Sequence, residues 1–137
     1  MKSYTIYPIF SVKRKDRDSN KDKVWGIEQK LETTDVYACK IMTLYPYGQC
    51  SVHLHRNKRE SFVLLEGELI LDTINTDTCE HTITHLKNKY DNVTIEPMVP
   101  HSFYCPKGQN GNTVFMEVST PDSPSDSYRF EPSKVTN

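Results

Sequence analysis

Between Gly48 and Gly67 the chain reads GQCSVHLHRNKRESFVLLEG, and this stretch restricts the fold more than any other. Residues two apart on a β-strand point to the same face, roughly 6.6 Å apart along the chain. His53 and His55 can therefore reach one ion from a single strand. The polar turn Arg56-Asn57-Lys58-Arg59 then bends the chain back, and Glu60 opens the next apolar run, Ser61 to Leu65. Gly48 and Gly67 bracket the unit at its two turns, where a glycine is free to take positive φ. Further on, Pro97-Met98-Val99-Pro100-His101 supplies a proline-fixed turn followed at once by a third histidine. Three imidazoles and one carboxylate form a borderline donor set suited to Zn²⁺, Fe²⁺, Mn²⁺, Ni²⁺ or Co²⁺.

The rest of the chain is also β in character. Val36 to Leu44 is rich in β-branched and apolar residues and stops at Tyr45-Pro46-Tyr47-Gly48. Cys50 to His55 alternates, Leu69-Ile70-Leu71 follows the Glu66-Gly67 turn, and Asn92 to Glu96, His101 to Cys105 and Val114 to Ser119 complete the set. Helical periodicity is almost absent. Many short strands separated by turn residues predict an all-β sandwich or barrel. His81 and His85 have the i, i+4 spacing of a helical zinc pair, but Thr82, Ile83 and Thr84 between them are poor helix formers. A surface hairpin is the expected setting for both.

With 137 residues the chain is the size of one domain. Its formal net charge of −1 gives no overall basic field to hold nucleic acid or an anionic membrane. Any anionic substrate must be met by a few local Lys or Arg residues. No run of about 18 apolar residues is present to span a membrane, and Met1-Lys2-Ser3-Tyr4 lacks the apolar core of a secretory leader. A cytoplasmic location is therefore expected, with Cys39, Cys50, Cys79 and Cys105 as reduced thiols. Lys13 to Lys23 carries six basic and three acidic residues and reads as a solvated loop. The expected division is an N-terminal strand and charged loop over 1–23, a barrel over 24–130 and a tail over 131–137, the Pro- and Ser-rich Thr120 to Ser133 closing the barrel.

The pattern G-x4-HxH-x4-E-x6-G, with a later proline–histidine strand, resembles the two motifs of the cupins. The resemblance covers roughly residues 24–130. It implies a double-stranded β-helix, a small jelly-roll barrel, with His53, His55, Glu60 and His101 holding one divalent metal at its mouth. The second motif departs from the usual form: Asn92 or a neighbour stands at its opening glycine, Pro97-Met98-Val99-Pro100 replaces P-x-G, and the closing asparagine is missing.

Other segments resemble the sugar-isomerase branch of the cupins, namely D-lyxose isomerase and the cupin half of type II phosphomannose isomerase. Trp25-Gly26 stands ahead of the barrel as a WG pair does there. Lys40 lies 13 residues before the first histidine, where those isomerases carry a lysine. Met116-Glu117-Val118-Ser119-Thr120 is similar to their late strand with an inward glutamate, and Asp126-Ser127-Tyr128-Arg129 to their closing segment. The resemblance implies aldose–ketose interconversion, which needs a Lewis acid and a base that carries a proton between adjacent carbons. Glu117 is the candidate base and Lys40 the group that stabilises the enediolate. Arg129 is the candidate anchor for a distal hydroxyl or phosphate, with Tyr128, Phe62 and Phe103 as faces for the sugar ring. The same four ligands also serve cupin oxygenases, lyases and non-catalytic metal- or sugar-binding modules. A homodimer covering edge strands is expected, with a small molecule as the partner.

Overall fold

The computed structural model describes residues 20–131 and 133–135. Most of the N-terminal strand and charged loop expected over 1–23 lies outside the described residues. In chain order the strands are β1 (Lys21–Lys23), β2 (Gly26–Thr33), β3 (Ala38–Leu44), β4 (Gly48–Gln49), β5 (His53–His55), β6 (Glu60–Glu66) and β7 (Leu69–Ile74). They continue with β8 (His81–Leu86), β9 (Asn92–Ile95), β10 (His101–Tyr104), β11 (Thr113–Ser119), β12 (Ser127–Arg129) and β13 (Lys134–Val135). A single 3-10 turn, Pro124–Asp126, is the only helical element among the described residues.

Two antiparallel sheets result. One has the order β1-β2-β3-β11-β6-β9. In the other, β10 is central: β7 lies on one side and carries β8, while β4 and β5, two halves of an interrupted strand, lie on the other and carry β13 and β12. Residues 134–135, expected in a tail, thus pair with β4. The alternation of buried with more exposed residues along β3, β6 and β11 marks the middle of the first sheet, with one face turned inward.

Register then lays the inward residues out in transverse rows, since directly opposed residues share a face. One row reads Glu28, Met42, Phe115, Leu64. The next reads Lys30, Lys40, Glu117, Phe62, Val93. A third reads Thr33, Ala38, Ser119, Glu60, Ile95. One end of the barrel is therefore apolar, and charge accumulates towards the other.

The apolar end is built on an aromatic cluster. Phe62, Phe103 and Phe115 meet with ring centroids 5.0–5.6 Å apart, and Trp25 packs edge-on against Phe103 at 5.3 Å. Leu44, Leu64, Leu69 and Leu71 fill the space around them and are wholly buried. Phe115→Ala should cost about 3–5 kcal/mol, read as a lower urea midpoint at unchanged slope. A loss below about 1 kcal/mol would mean that the cluster does not carry the fold.

The two turns around the histidine strand work differently from each other. Gly67 has φ 75°, as a turn glycine should. At the other turn the positive φ belongs to Tyr47, at 66°. Gly48 is required for closeness instead: a Cβ there would sit 2.4 Å from the carbonyl oxygen of Trp25. Met98, in the proline-fixed turn, has φ 71°, and its N–H donates to the His55 carbonyl at 2.7 Å. The turn before His101 is thus tied to the histidine strand without a glycine.

Candidate metal centre

The two sheets meet at the four residues of the HxH, Glu and Pro-His segments. His101 on β10 stands directly opposite His53 on β5, so both rings leave the sheet on the same face, with centroids 4.4 Å apart. His55 follows two residues on, and Glu60 arrives from β6 in the facing sheet. One ligand atom from each of His53, His55, Glu60 and His101 lies within 4.8 Å of the other three. The His53 Nδ1–H donates to the Ser51 carbonyl at 2.8 Å and the His101 Nδ1–H to the Val99 carbonyl at 2.9 Å. A carbonyl accepts only, so Nδ1 carries the proton on each ring and Nε2 is left as a lone pair aimed inward.

That lone pair decides what fits here. His101 Nε2 is 2.8 Å from Glu60 Oε1, yet both atoms are buried and neither has a hydrogen-bond partner of acceptable geometry. Two such groups this close and cut off from water call for a shared cation, a proton on the metal-free protein or a metal ion held in its place. The titration states agree. Burial, then the neighbouring His101, depresses His53 to about 3, and burial lowers His55 too. Burial works to raise Glu60, but His101 and Lys58 outweigh it and keep the carboxylate ionised. Neutral imidazoles and an ionised carboxylate are the ligating forms. The His₃Glu cluster fits a divalent metal site.

A pH dependence follows for the protein stripped of metal by chelation. An unfolded histidine takes up its proton near pH 6.5, whereas buried His53 resists it until about 3. Across that window the unfolded chain binds the extra proton, so stability falls as pH drops through it. Thermal melts of the chelated protein should lose a few kcal/mol between the two limits; a flat profile would show that His53 is solvated.

Behind the ligands lies a layer of charge. Lys40 Nζ is 2.7 Å from Asp122, 3.3 Å from Glu28 and 3.7 Å from Glu117. Lys58 Nζ is 3.2 Å from Glu60, 3.4 Å from Glu117 and 3.3 Å from Asp122. Glu117 and Lys58 are only 4% exposed. Burial, and then Glu60, drive the Glu117 carboxyl far above the usual carboxylate range against the pull of Lys58 and Lys40. Burial acts to lower Lys40, but Glu117, Asp122 and Glu28 hold it protonated. Sequence reasoning singled out Glu117 and Lys40 but left Lys58 in a polar turn and passed over Glu28 and Asp122. The turn itself is held by buried Asp126, whose carboxylate accepts from the backbone N–H groups of Arg56, Asn57 and Lys58 at 3.0–3.1 Å. It thereby sets both Lys58 and Glu60.

A cavity of about 590 Å³ opens onto this layer. Phe62 and Phe103 form part of its lining but are core residues, 0% and 3% exposed, with their faces taken up by other rings. Arg129 pairs directly with His53 and lines the cavity. Tyr128, the residue between, pairs with Leu54 and turns the other way, into a separate depression beside Arg56 and Asn57. Alternation along β12 thus turns Tyr128, expected beside the sugar ring, away from this cavity. Cys50 also lines the cavity, but burial pushes its thiol up to about 12, which leaves it inert. His81 and His85 lie on β8, hairpin partner of β7, beside Asp72 and Glu68 respectively and apart from the ligand cluster.

No protein-family model and no curated protein sequence matches the chain. Solved structures do. The capsular polysaccharide assembling protein CapF from Staphylococcus aureus superposes with a TM-score of 0.74 at 17% identity, over 82% of this chain and 31% of that one. Oxalate decarboxylase from Bacillus subtilis gives 0.74 at 16% identity, over 91% and 33%. The formate complex of oxalate decarboxylase from Lactobacillus farciminis gives 0.70 at 16% identity, over 88% and 37%. This chain spans about a third of the length of these neighbours. At such identities the likeness is one of fold, and the fold is the cupin β-barrel. No helix among the described residues is long and apolar enough to cross a membrane.

Proposed function

We propose that this cupin is a metal-dependent aldose–ketose isomerase, or a related epimerase, working through an enediol. The observation that supports it most is Glu117: a buried carboxyl, flanked by two lysines and adjacent to Glu60 of the candidate metal cluster, in a cavity whose walls carry charged and hydroxylated side chains. A polyhydroxylated substrate can hydrogen-bond to those charged and hydroxylated side chains in place of water.

A divalent metal held by His53, His55, Glu60 and His101 would supply Lewis-acid polarisation of a carbonyl and its neighbouring hydroxyl. Glu117 takes the proton from the hydroxyl-bearing carbon and returns it to the former carbonyl carbon. Burial raises its proton affinity into the range where both steps are accessible. The hydroxyl proton passes to the former carbonyl oxygen, so the two isomers differ only in where two hydrogens sit. Lys40 and Lys58 present ammonium donors to the oxygen that gains negative charge. Asp122 and Glu28 hold Lys40 in that position.

Elemental analysis of the purified protein, followed by a metal-supplemented screen of free and phosphorylated pentoses and hexoses, tests the reading. About one metal per chain with turnover of a sugar is the expected result. One metal without turnover, but with oxygen uptake, would replace the isomerase by an oxygenase. Metal binding with neither activity would leave a binding module.

A further inference from the structure

Between His55 on β5 and Glu60 on β6 the chain crosses from one sheet to the other in the four residues Arg56 to Arg59. Two candidate ligands of one ion stand at the ends of that crossing. So short a link has no ladder to satisfy its backbone, and its N–H groups must find acceptors elsewhere. Those of Arg56, Asn57 and Lys58 converge on the Asp126 carboxylate at 3.0–3.1 Å, and the Asn57 side-chain amide joins them at 3.2 Å. The last, from Arg59, donates to Thr120 Oγ1 at 3.0 Å. Every amide of the crossing is thus held by the segment that follows β11.

Asp126 serves this turn alone. It is 8% exposed, and among the described residues no lysine, arginine or histidine forms an ion pair with it. A buried carboxylate without a counter-ion is costly, and what this one fixes is the course of the crossing. The same segment also reaches the histidine strand along its free side. Ser127 stands opposite His55 and Arg129 opposite His53. Phe130 donates its N–H to the Val52 carbonyl at 2.8 Å. Ser133 Oγ accepts from the N–H of Ser51 at 3.0 Å, the residue whose carbonyl orients the His53 ring. His53, His55 and Glu60 are therefore all braced by residues 120–131 and Ser133, while His101 is oriented by the Val99 carbonyl.

We infer that Asp126 is a positioning residue of the metal centre: by holding the crossing turn it sets His55 and Glu60 to meet one ion, and it thereby couples metal binding to the seating of the closing segment. The inference rests on the metal cluster and not on the isomerase reading. Coupling of this kind is reciprocal. Loosening the segment weakens the hold on the metal, and the metal tightens the segment.

Asp91 supplies the control. Its carboxylate accepts from the N–H groups of Lys87 and Asn88 at 3.0 and 2.8 Å, in the turn between β8 and β9, which carries no member of the cluster. The test is competition for Zn²⁺ between a chromophoric chelator and the full chain, as the parent, Asp126→Asn, Asp126→Ala and Asp91→Ala. Loss of a group that orients metal ligands costs about 10–100-fold in affinity, and Asp126→Ala should fall in that range. Asp126→Asn, which keeps one accepting oxygen, should lie between it and the parent. Asp91→Ala should bind within about twofold of the parent, although a lost turn clamp lowers its urea midpoint as well. Loaded with Co²⁺, Asp126→Ala should show an altered ligand-field spectrum and Asp91→Ala an unchanged one.

Should Asp126→Ala fail to fold, hydrogen exchange in the parent carries the test. Zn²⁺ should slow the amides of Arg56, Asn57 and Lys58 about tenfold or more, and leave those of Lys87 and Asn88 as they were. Parent-like affinity in Asp126→Ala, an equal loss in Asp91→Ala, or exchange at the crossing that is indifferent to Zn²⁺ would overturn the inference. A parent that binds neither Zn²⁺ nor Co²⁺ would remove it together with the metal centre. Metal binding with the expected losses, in a protein that turns over no sugar, supports the inference and removes only the isomerase.

Discussion

His101→Ala is expected to leave the protein folded but without its metal. The imidazole is 1% exposed and stands 2.8 Å from Glu60, at the point where the two sheets converge. Its Nδ1–H is committed to the Val99 carbonyl, so the ring cannot swing away and be replaced by a neighbour. Removing even a group that only orients a ligand costs about 10–100-fold in metal affinity; removing the ligand itself should exceed that. Elemental analysis after dialysis should find the metal gone, while His85→Ala, a histidine outside the cluster, should retain it in full. The variant should also be less stable than the chelated parent, because Glu60 loses the nearest of the groups that offset its burial and keeps Lys58 at 3.2 Å and His55 at 3.7 Å. Full occupancy in His101→Ala would show that the four residues are not the ligand set.

The His₃Glu cluster was legible because metal chemistry leaves a short-range signature. Two histidines two apart on a strand, a carboxylate just past a polar turn and a histidine just past a proline turn all state their geometry locally. The central strands were legible for the same reason: β3, β6 and β11 bury one face, and their alternation survives in the sequence. β2 was not, and the cause is functional. Its inward face carries Glu28 and Lys30 where a core strand would carry apolar residues, so the charge that serves the cavity erases the pattern that marks a strand. β12 is hidden likewise: it is only three residues long, and the residues it turns towards the cavity, Ser127 and Arg129, are polar and not buried. Lys58 was unreadable for a different reason. A lysine in a run of Arg, Asn and Arg looks solvated, and only the grip of Asp126 on the turn, from 68 residues further along the chain, drives it inside. Contacts at that separation have no sequence period to betray them.

Glu117→Gln should abolish most turnover while leaving the metal and the fold in place. The substitution keeps the shape of the side chain and removes the ability to accept a proton, and general-base removal costs about 10²–10⁴-fold. Folding should tolerate it, because burial beside Glu60 already favours an uncharged group at this position. An amide can still accept from Lys40 and Lys58, whose other partners, Asp122, Glu28 and Glu60, are untouched. Glu28→Gln provides the comparison within the same network. It removes a carboxylate 3.3 Å from Lys40 on the side away from the metal ligands, and should cost far less if Glu28 only positions that lysine. Exchange of substrate hydrogen with labelled water sharpens the test, since a base that shuttles the proton between adjacent carbons must exchange part of it with solvent. Glu117→Gln should lose this exchange together with turnover, and Glu28→Gln should keep both in proportion. Metal-loaded Glu117→Gln with undiminished turnover would take the base role away from this residue; lost turnover with retained exchange would place Glu117 after the proton abstraction.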